Sequence, residues 1–132
     1  MPTSKREDLE QRIKLINETK PTLTLCIHQN SFPDASVRGA QVFYYTPSEI
    51  GKEAAGIVQE ELRTVDPENK REIKANETYY MLKNTEVPTI IVECGFLTNP
   101  EEAEKLTNEE YQEQLAKAVF DGIIKWLEKE SK

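Results

Sequence analysis

The chain has 132 residues, which suits one domain, and its 37% of hydrophobic residues can form a single modest core. Charged residues make up 31% of the chain with acidic ones in excess, and the net charge of -7 argues against nucleic acid as a partner, since such binders carry a basic patch. The apolar runs are too short for a membrane span, and the polar first residues do not resemble a signal peptide. Any export signal is therefore expected upstream of this chain.

The first third of the chain predicts one helix and two strands. Residues 4–19 predict a helix, because Ser4 opens a capping box and apolar residues then recur at helical spacing. Residues 22–28 alternate between apolar and polar in the manner of a strand, and residues 30–36 are typical of a turn. Residues 39–45 are rich in β-branched and aromatic side chains, which favours a second strand.

The middle of the chain predicts two helices separated by a loop. The first helix begins near Ser48, a favourable N-cap, and carries one apolar stripe. That stripe consists of Ile50, Ala54, Ile57, Val58 and Leu62. Residues 66–70 form a polar loop, and a short helix follows over residues 77–83 with Asn76 as its candidate cap.

The last third predicts a buried strand followed by two helices. Residues 88–93 form the most apolar strand, without alternation, as in a strand covered on both faces. Asn99 and Pro100 are a helix start signal, and that helix runs through Leu106. Thr107 opens a capping box for the final helix. The apolar face of that helix consists of Leu115, Val119, Ile123, Trp126 and Leu127.

This order of elements predicts an α/β fold, a three-layer domain with a mixed, largely parallel sheet flanked by helices. Residues 88–93 are expected to form its central strand, because their run of apolar side chains is continuous. Three strands make a small sheet, so further strands are expected outside this chain. The domain is accordingly predicted to lack its N-terminal strands.

Two polar residues follow predicted strands and are candidates for chemistry. His28 is the only histidine and ends the strand over residues 22–28, at the edge where sites in α/β sheets lie. It is either a satisfied structural histidine or a zinc ligand or general base. Glu93 ends the apolar strand, where an unpaired buried carboxylate would be costly. It either pairs with a nearby cation or faces a cleft.

The cysteines and isolated basic residues carry less chemical signal. Cys26 shares a strand face with His28 and could suggest metal or thiol chemistry, although a small buried hydrophobic residue is the simpler interpretation. Cys94 is interpreted in the same way, since no basic group flanks it to lower its pKa. Arg38, Arg71 and Lys74 stand alone in or near loops and are expected at the solvated surface.

By residue spacing alone, the chain offers half of a hydrolytic zinc site. Such a site needs three protein ligands and an open position for water. The metal lowers the pKa of that water to about 7 and polarises the carbonyl under attack, while a nearby glutamate transfers the proton. One histidine and one well-placed glutamate are present.

Several motifs in order resemble the zinc-dependent N-acetylmuramoyl-L-alanine amidases. IHQN at residues 27–30 and RGAQVFYY at residues 38–45 resemble the conserved strand end and the strand after it. YMLKNT at residues 80–85 and PTIIVECGFLTN at residues 88–99 resemble the second signature of the family. The similarity extends over residues 9–126 and is most like the amidases of the spore cortex.

The resemblance implies a reaction and roles for particular residues. The family hydrolyses the amide between N-acetylmuramic acid and L-alanine of peptidoglycan, so peptidoglycan is the expected partner and Zn²⁺ the expected cofactor. His28 corresponds to a zinc ligand and Glu93 to the catalytic glutamate. The other two ligands, a histidine in an AGHGG-like strand end and a glutamate on the next helix, are expected upstream of this chain. Asn30 and Arg71 are the candidate substrate-binding residues.

The resemblance covers the later part of such a catalytic domain. Residues 1–132 are therefore expected to form one partial domain whose exposed sheet edge could support self-association. An extracellular, cell-wall or spore-cortex location is implied. A non-catalytic module that binds peptidoglycan or a protein on the same fold is the alternative function, because the other zinc ligands are absent from this sequence.

Overall fold

The computed structural model describes residues 5–30 and 38–130, and it leaves the side chains of Lys5, Gln29 and Asn30 undescribed. The expected cap Ser4 and nearly all of the expected turn over residues 30–36 lie outside the described residues. The described elements are α1 (Lys5–Thr19), β1 (Thr24–Asn30), β2 (Gln41–Tyr45), α2 (Glu49–Val65), β3 (Lys74–Asn76), α3 (Tyr80–Asn84), β4 (Thr89–Phe96), α4 (Pro100–Leu106) and α5 (Glu109–Glu130).

The four described strands form one mixed sheet in the order β1-β4-β2-β3. β4 is parallel to β1 and antiparallel to β2, and β2 is parallel to β3. All eight residues of β4 are buried, which confirms its prediction as the central strand. The mixed, largely parallel α/β sheet with flanking helices is confirmed as well, while the short strand β3 was not predicted.

The larger core lies between the sheet and α2, α4 and α5. Ile90 and Val92 of β4 pack there with Val58, Leu62 and Trp126, all at most 1% exposed. The predicted apolar stripe of α5 is confirmed for its first four members, because Leu115, Val119 and Trp126 are buried in this cluster and Ile123 packs against it. Leu127 was predicted wrongly, since it is 41% exposed.

The opposite face of the sheet carries a smaller core. Phe43, Leu82 and Ile91 form it, with Cys26 and Tyr45 packed alongside. Helices α1 and α3 lie against each other on this side. Among the described residues, no helix has the length and hydrophobicity needed to cross a bilayer.

Of the four expected N-terminal helix caps that lie within the described residues, two are present in the structure and two are not. Ser48 accepts a hydrogen bond from the amide of Gly51, and Asn99 accepts from the first amides of α4, as predicted. Asn76 does not cap a helix over residues 77–83; its side chain accepts from the amides of Thr78 and Tyr79 in a turn, and the helix begins at Tyr80.

At α5, the amide of Tyr111 donates to the side chain of Asn108. The predicted capping box at Thr107 is therefore wrong. Thr107 instead ends α4, because its amide donates to the carbonyls of Glu104 and Lys105.

Candidate active site

His28 and Glu93 are brought together at the carboxyl ends of two parallel strands. They are direct cross-strand partners in β1 and β4, and His28 Nδ1 lies 3.6 Å from Glu93 Oε1. That distance allows an ionic interaction but is too long for a direct hydrogen bond. The His28 side chain is 49% exposed and the Glu93 side chain 5% exposed. The two candidate residues are therefore neighbours, with the imidazole facing solvent and the carboxylate behind it.

Glu93 is a buried carboxylate that its surroundings do not fully satisfy. Its Oε2 is buried and has no hydrogen-bond partner among the described residues. Burial raises the pKa of Glu93 above its ordinary value, and the neighbouring His28 opposes part of that shift. A carboxylate with these properties is suited to accept and release a proton.

Gln41 extends the pair into a row of three polar side chains across the sheet. It is the antiparallel partner of Glu93 and is 8% exposed, so the two side chains lie on the same face. The side-chain amide of Gln41 forms two hydrogen bonds. Its Nε2 donates to the Glu72 carbonyl at 2.8 Å, and its Oε1 accepts from Arg71 Nη1 at 2.8 Å. Sequence reasoning did not single out Gln41, because its relevance comes from strand pairing with Glu93.

Arg71 is held firmly beside this row, which corrects the expectation of an isolated solvated residue. Its Nε donates to the Arg38 carbonyl at 2.8 Å, and its Cζ lies 4.8 Å from the centre of the Phe96 ring. Arg38 is likewise not isolated, since it forms ion pairs with Asp66, Glu68 and Glu101. Lys74 is exposed, as expected.

Glu102 of α4 is a second buried carboxylate, and the sequence interpretation missed it. It is 1% exposed, and its Oε1 accepts from the amides of Gly39 at 2.6 Å and Phe96 at 3.3 Å. The ladder between β2 and β4 ends at the pair Gln41 and Glu93, so the carboxylate satisfies backbone groups just where the strands separate. The Asn-Pro helix start with a glutamate in the first turn is the only sequence signal that could have suggested it.

Two glycines make room for this arrangement. A Cβ on Gly95 would lie 3.2 Å from Glu102 Oε1, and one on Gly39 would lie 2.7 Å from the Asn69 side-chain oxygen. Gly39 also has a φ of +101°, which other residues rarely adopt. The entry into β2 therefore depends on glycine at position 39.

Aromatic residues close one side of the row. Tyr79 packs against Phe43 of β2 with ring centres 5.5 Å apart. Its pKa is raised, mainly by burial and then by the negative charge of Glu93. Tyr79 therefore lies within electrostatic reach of Glu93 and forms part of the surrounding wall.

The cysteines behave as the simpler interpretation predicts. Cys26 packs against the smaller core and Cys94 is buried in the larger one, on opposite faces of the sheet. Burial raises the pKa of Cys26, and burial followed by the charge of Glu93 raises the pKa of Cys94 to about 11. Both thiols are thus kept protonated, which does not favour thiolate chemistry.

Asn30 ends β1, where its backbone pairs with Phe96 after an irregularity in the register that follows His28. Its side chain is outside the described part of the structure. Its proposed contact with substrate therefore stays a prediction.

The row of polar side chains contains the types of atom that bind zinc, but too few of them for a complete site. His28 and Glu93 provide an imidazole and a carboxylate with an unpartnered oxygen, both of which zinc accepts. Within residues 5–30 and 38–130, however, no group of three histidine, cysteine or acidic side chains could hold a metal ion. The described residues can therefore supply part of a catalytic zinc site, which needs three ligands.

Similarity to a known protein family covers nearly the whole chain. The family described as N-acetylmuramoyl-L-alanine amidase matches residues 2–125. The chain belongs to this family. The family predicted from the motifs is thus confirmed.

Individual amidases support the same conclusion. The chain is 37% identical over 123 residues, 93% of its length, to the germination-specific N-acetylmuramoyl-L-alanine amidase of Bacillus subtilis. It is 37% identical to the CwlD amidase of Clostridioides difficile, solved in complex with the GerS lipoprotein, with a TM-score of 0.90 over 96% of this chain. An N-acetylmuramoyl-L-alanine amidase from Clostridium difficile 630 is 31% identical, with a TM-score of 0.85 over 91% of this chain.

These amidases are longer than the present chain. It spans 52% of the Bacillus subtilis amidase and 66% and 65% of the two solved chains. The similarity to a germination-specific member agrees with the spore-related type that the motifs indicate.

Proposed function

We propose that this chain is part of the catalytic domain of a zinc-dependent N-acetylmuramoyl-L-alanine amidase, with residues 1–132 forming one partial domain. The substrate is peptidoglycan, and the bond hydrolysed is the amide between N-acetylmuramic acid and L-alanine. The observation that carries the proposal is the pair of exposed His28 and buried Glu93 at adjoining strand ends in a fold of this family.

The chain's own residues divide the work between binding and proton transfer. His28 would hold zinc through its exposed imidazole, and zinc when bound supplies a more acidic water molecule and a polarised carbonyl. Glu93 would accept the proton of the attacking water on its carboxylate and donate it to the leaving amide nitrogen. Asn30 and Arg71 would contact the substrate near this centre.

The first test is the zinc content of the 132-residue chain. Because the described residues provide fewer than three ligands, we expect weak or no zinc binding and no measurable release of muropeptides. A longer protein that supplies a further histidine and glutamate should gain zinc and activity together. One equivalent of tightly held zinc on the short chain would contradict this assignment and would direct attention first to Cys26.

The second test separates the roles of the two site residues in such a longer protein. Glu93→Gln should abolish turnover and leave zinc bound, because a carboxamide cannot transfer the proton. His28→Ala should lose zinc as well as turnover, since it removes a ligand. Loss of zinc in Glu93→Gln would instead make Glu93 a ligand and would contradict its role as the base.

The alternative is a non-catalytic module that binds peptidoglycan or a protein through the same face. The small number of metal-binding side chains in the described residues favours it for the chain by itself. Retention of the chain on purified peptidoglycan in the presence of a chelator, without hydrolysis in any longer form, would support this alternative over the enzyme.

We also propose that the open edge of β1 supports self-association. Among the described strands β1 pairs only with β4, and Ile27 on it is 59% exposed. Ile27 also lines an apolar pocket together with Leu115 and Val119 of α5. Ile27→Lys should shift the chain toward monomer in light scattering after gel filtration, whereas Ile50→Lys, at a 44% exposed position on α2, should not. Equal behaviour of the two variants would contradict edge pairing.

The location proposed for the protein is the cell wall or spore cortex, where its substrate lies. A lipoprotein comparable to GerS, which was solved with CwlD, is a candidate partner.

A further inference from the structure

Arg71 differs from the other arginines in having no acidic partner among the described residues. Ion pairs with acidic side chains engage each of the others, namely Arg6, Arg12, Arg38 and Arg63. The chain has 24 acidic residues, so the absence of such a pair at a half-buried guanidinium is notable. A guanidinium partly removed from water without a counter-ion favours the binding of an anion.

The surroundings of Arg71 fix the direction in which its guanidinium points. Nε donates to the Arg38 carbonyl and Nη1 donates to Gln41 Oε1, both at 2.8 Å, while the group lies over the Phe96 ring. No described residue accepts a hydrogen bond from Nη2. The group is therefore oriented in advance, and among the described residues no acceptor competes with a ligand for its Nη2 donor.

Arg71 is also one side chain away from the centre of the candidate active site. Gln41 is the cross-strand partner of Glu93, so their Cβ atoms are about 5 Å apart. The Arg71 guanidinium lies one hydrogen bond farther from Glu93, because its Nη1 donates to the Gln41 side chain. An extended peptide advances about 3.3–3.6 Å per residue, so this separation corresponds to about two residues of a bound peptide.

We propose that Arg71, oriented by Gln41, binds a carboxylate of the stem peptide one residue beyond the L-alanine of the amide that is cleaved. In peptidoglycan that residue is a glutamate joined through its side chain, which leaves its main-chain carboxylate free. This inference rests on the proposed function, because it takes Glu93 to mark the position of that amide. The ligand class is thus an acidic peptide with a free α-carboxylate at its second residue.

The experiment compares two ligands that differ only at that carboxylate. They are N-acetylmuramyl-L-alanyl-D-glutamate and its D-isoglutamine counterpart, in which the carboxylate is an amide. Binding to the 132-residue chain is followed by NMR through the signals of the Arg71 side chain and the Gln41 amide. We expect about tenfold tighter binding of the acid, because one charge-assisted hydrogen bond at a partly exposed site distinguishes the two ligands.

Two variants and a charge-matched control make the comparison specific. Arg71→Gln removes the charge and should abolish the preference. Gln41→Glu should do the same by giving Arg71 an internal carboxylate. Lys117→Gln also removes one positive charge, but at an exposed position on α5, and should keep the preference. Circular dichroism of each variant verifies that it is folded.

The outcomes separate this inference from the proposed function. Equal affinity of the wild type for the two ligands, or no response at the Arg71 and Gln41 signals, would overturn the carboxylate site. If N-acetyl-L-alanyl-D-glutamate without the sugar binds as tightly as the muramyl ligand, with the same dependence on Arg71, the carboxylate site is supported. That result would at the same time contradict recognition of the muramyl group.

Discussion

Removing the buried carboxylate of Glu102 tests whether it holds the strands together beside the candidate active site. The substitution Glu102→Ala deletes an oxygen that accepts from the amides of Gly39 at 2.6 Å and Phe96 at 3.3 Å. Both amides then lose this acceptor at a position where the pairing of β2 with β4 has already ended, although Phe96 still pairs with Asn30 of β1. The first expected consequence is loosening of the entry into β2 and of the end of β4.

The magnitude follows from these two bonds. A hydrogen bond to a charged group contributes about 1.5–3 kcal/mol, and the longer bond to Phe96 belongs at or below the lower end of that range. The substitution also removes the desolvation cost of a carboxylate that is only 1% exposed, which offsets part of the loss. We therefore expect Glu102→Ala to lower the free energy of unfolding by about 3 kcal/mol.

Urea unfolding followed by circular dichroism measures this change from the shift of the midpoint at constant slope. Glu102→Gln keeps an acceptor of the same shape and should lose less than half as much stability. Glu104→Ala, at an exposed position in the same helix, should change stability by no more than about 0.5 kcal/mol. Hydrogen exchange should accelerate at the amides of Gly39 and Phe96 before it does so in α2.

The outcome that would refute this reasoning is a Glu102→Ala variant no less stable than Glu104→Ala. Hydrogen exchange at the Gly39 and Phe96 amides that is no faster in Glu102→Ala than in the wild type would refute it as well. Either result would show that those amides do not depend on the carboxylate.

Two pairs of substitutions test the packing of α5. Gly122→Ala should cost about 1–3 kcal/mol, because its Cβ would lie 3.0 Å from the Cα of Val58, whereas Gly56→Ala meets no atom within 4 Å and should stabilise α2 by up to about 1 kcal/mol. Thermal and urea unfolding measure both, and a stabilising Gly122→Ala would contradict the close approach of α2 and α5. Ile123→Ala should cost about 2 kcal/mol because Ile123 packs on the larger core, and Leu127→Ala less than about 1 kcal/mol because Leu127 is 41% exposed. An unchanged melting temperature for Ile123→Ala would show that this side of α5 is not docked.

The elements with a strong hydrophobic pattern could be predicted from the sequence. The continuous apolar run before Glu93 predicted a central strand, and β4 is buried along its whole length. β3 could not be predicted in this way, because its three residues, Lys74–Asn76, are polar or small and carry no alternation. It is a strand because β2 offers an edge to pair with, which is a tertiary effect.

From local pattern alone, a site residue could be predicted only where its position along its own strand indicated that it lies at the edge of the sheet. His28 and Glu93 were identified because each ends a strand, and parallel strands end at one edge of a sheet. Gln41, and the hydrogen bond that Arg71 donates to it, depend on pairing between segments distant in sequence, and no local pattern indicates which residue will lie opposite Glu93. The buried state of Glu102 has the same origin, since the amides that it binds come from two other elements.

The position of β4 between β1 and β2 has a consequence during synthesis of the chain on the ribosome. In the described part of the chain, β1 and β2 pair with β4 and not with each other, so β1 has no hydrogen-bonding partner until residues 89–96 have been made. At roughly 5–20 residues per second, the nascent chain spends several seconds with β1 unpaired. During that interval its apolar residues are available to chaperones or to other nascent chains. A pause in translation before residue 89 should therefore increase misassembly, whereas a pause after α5 should not.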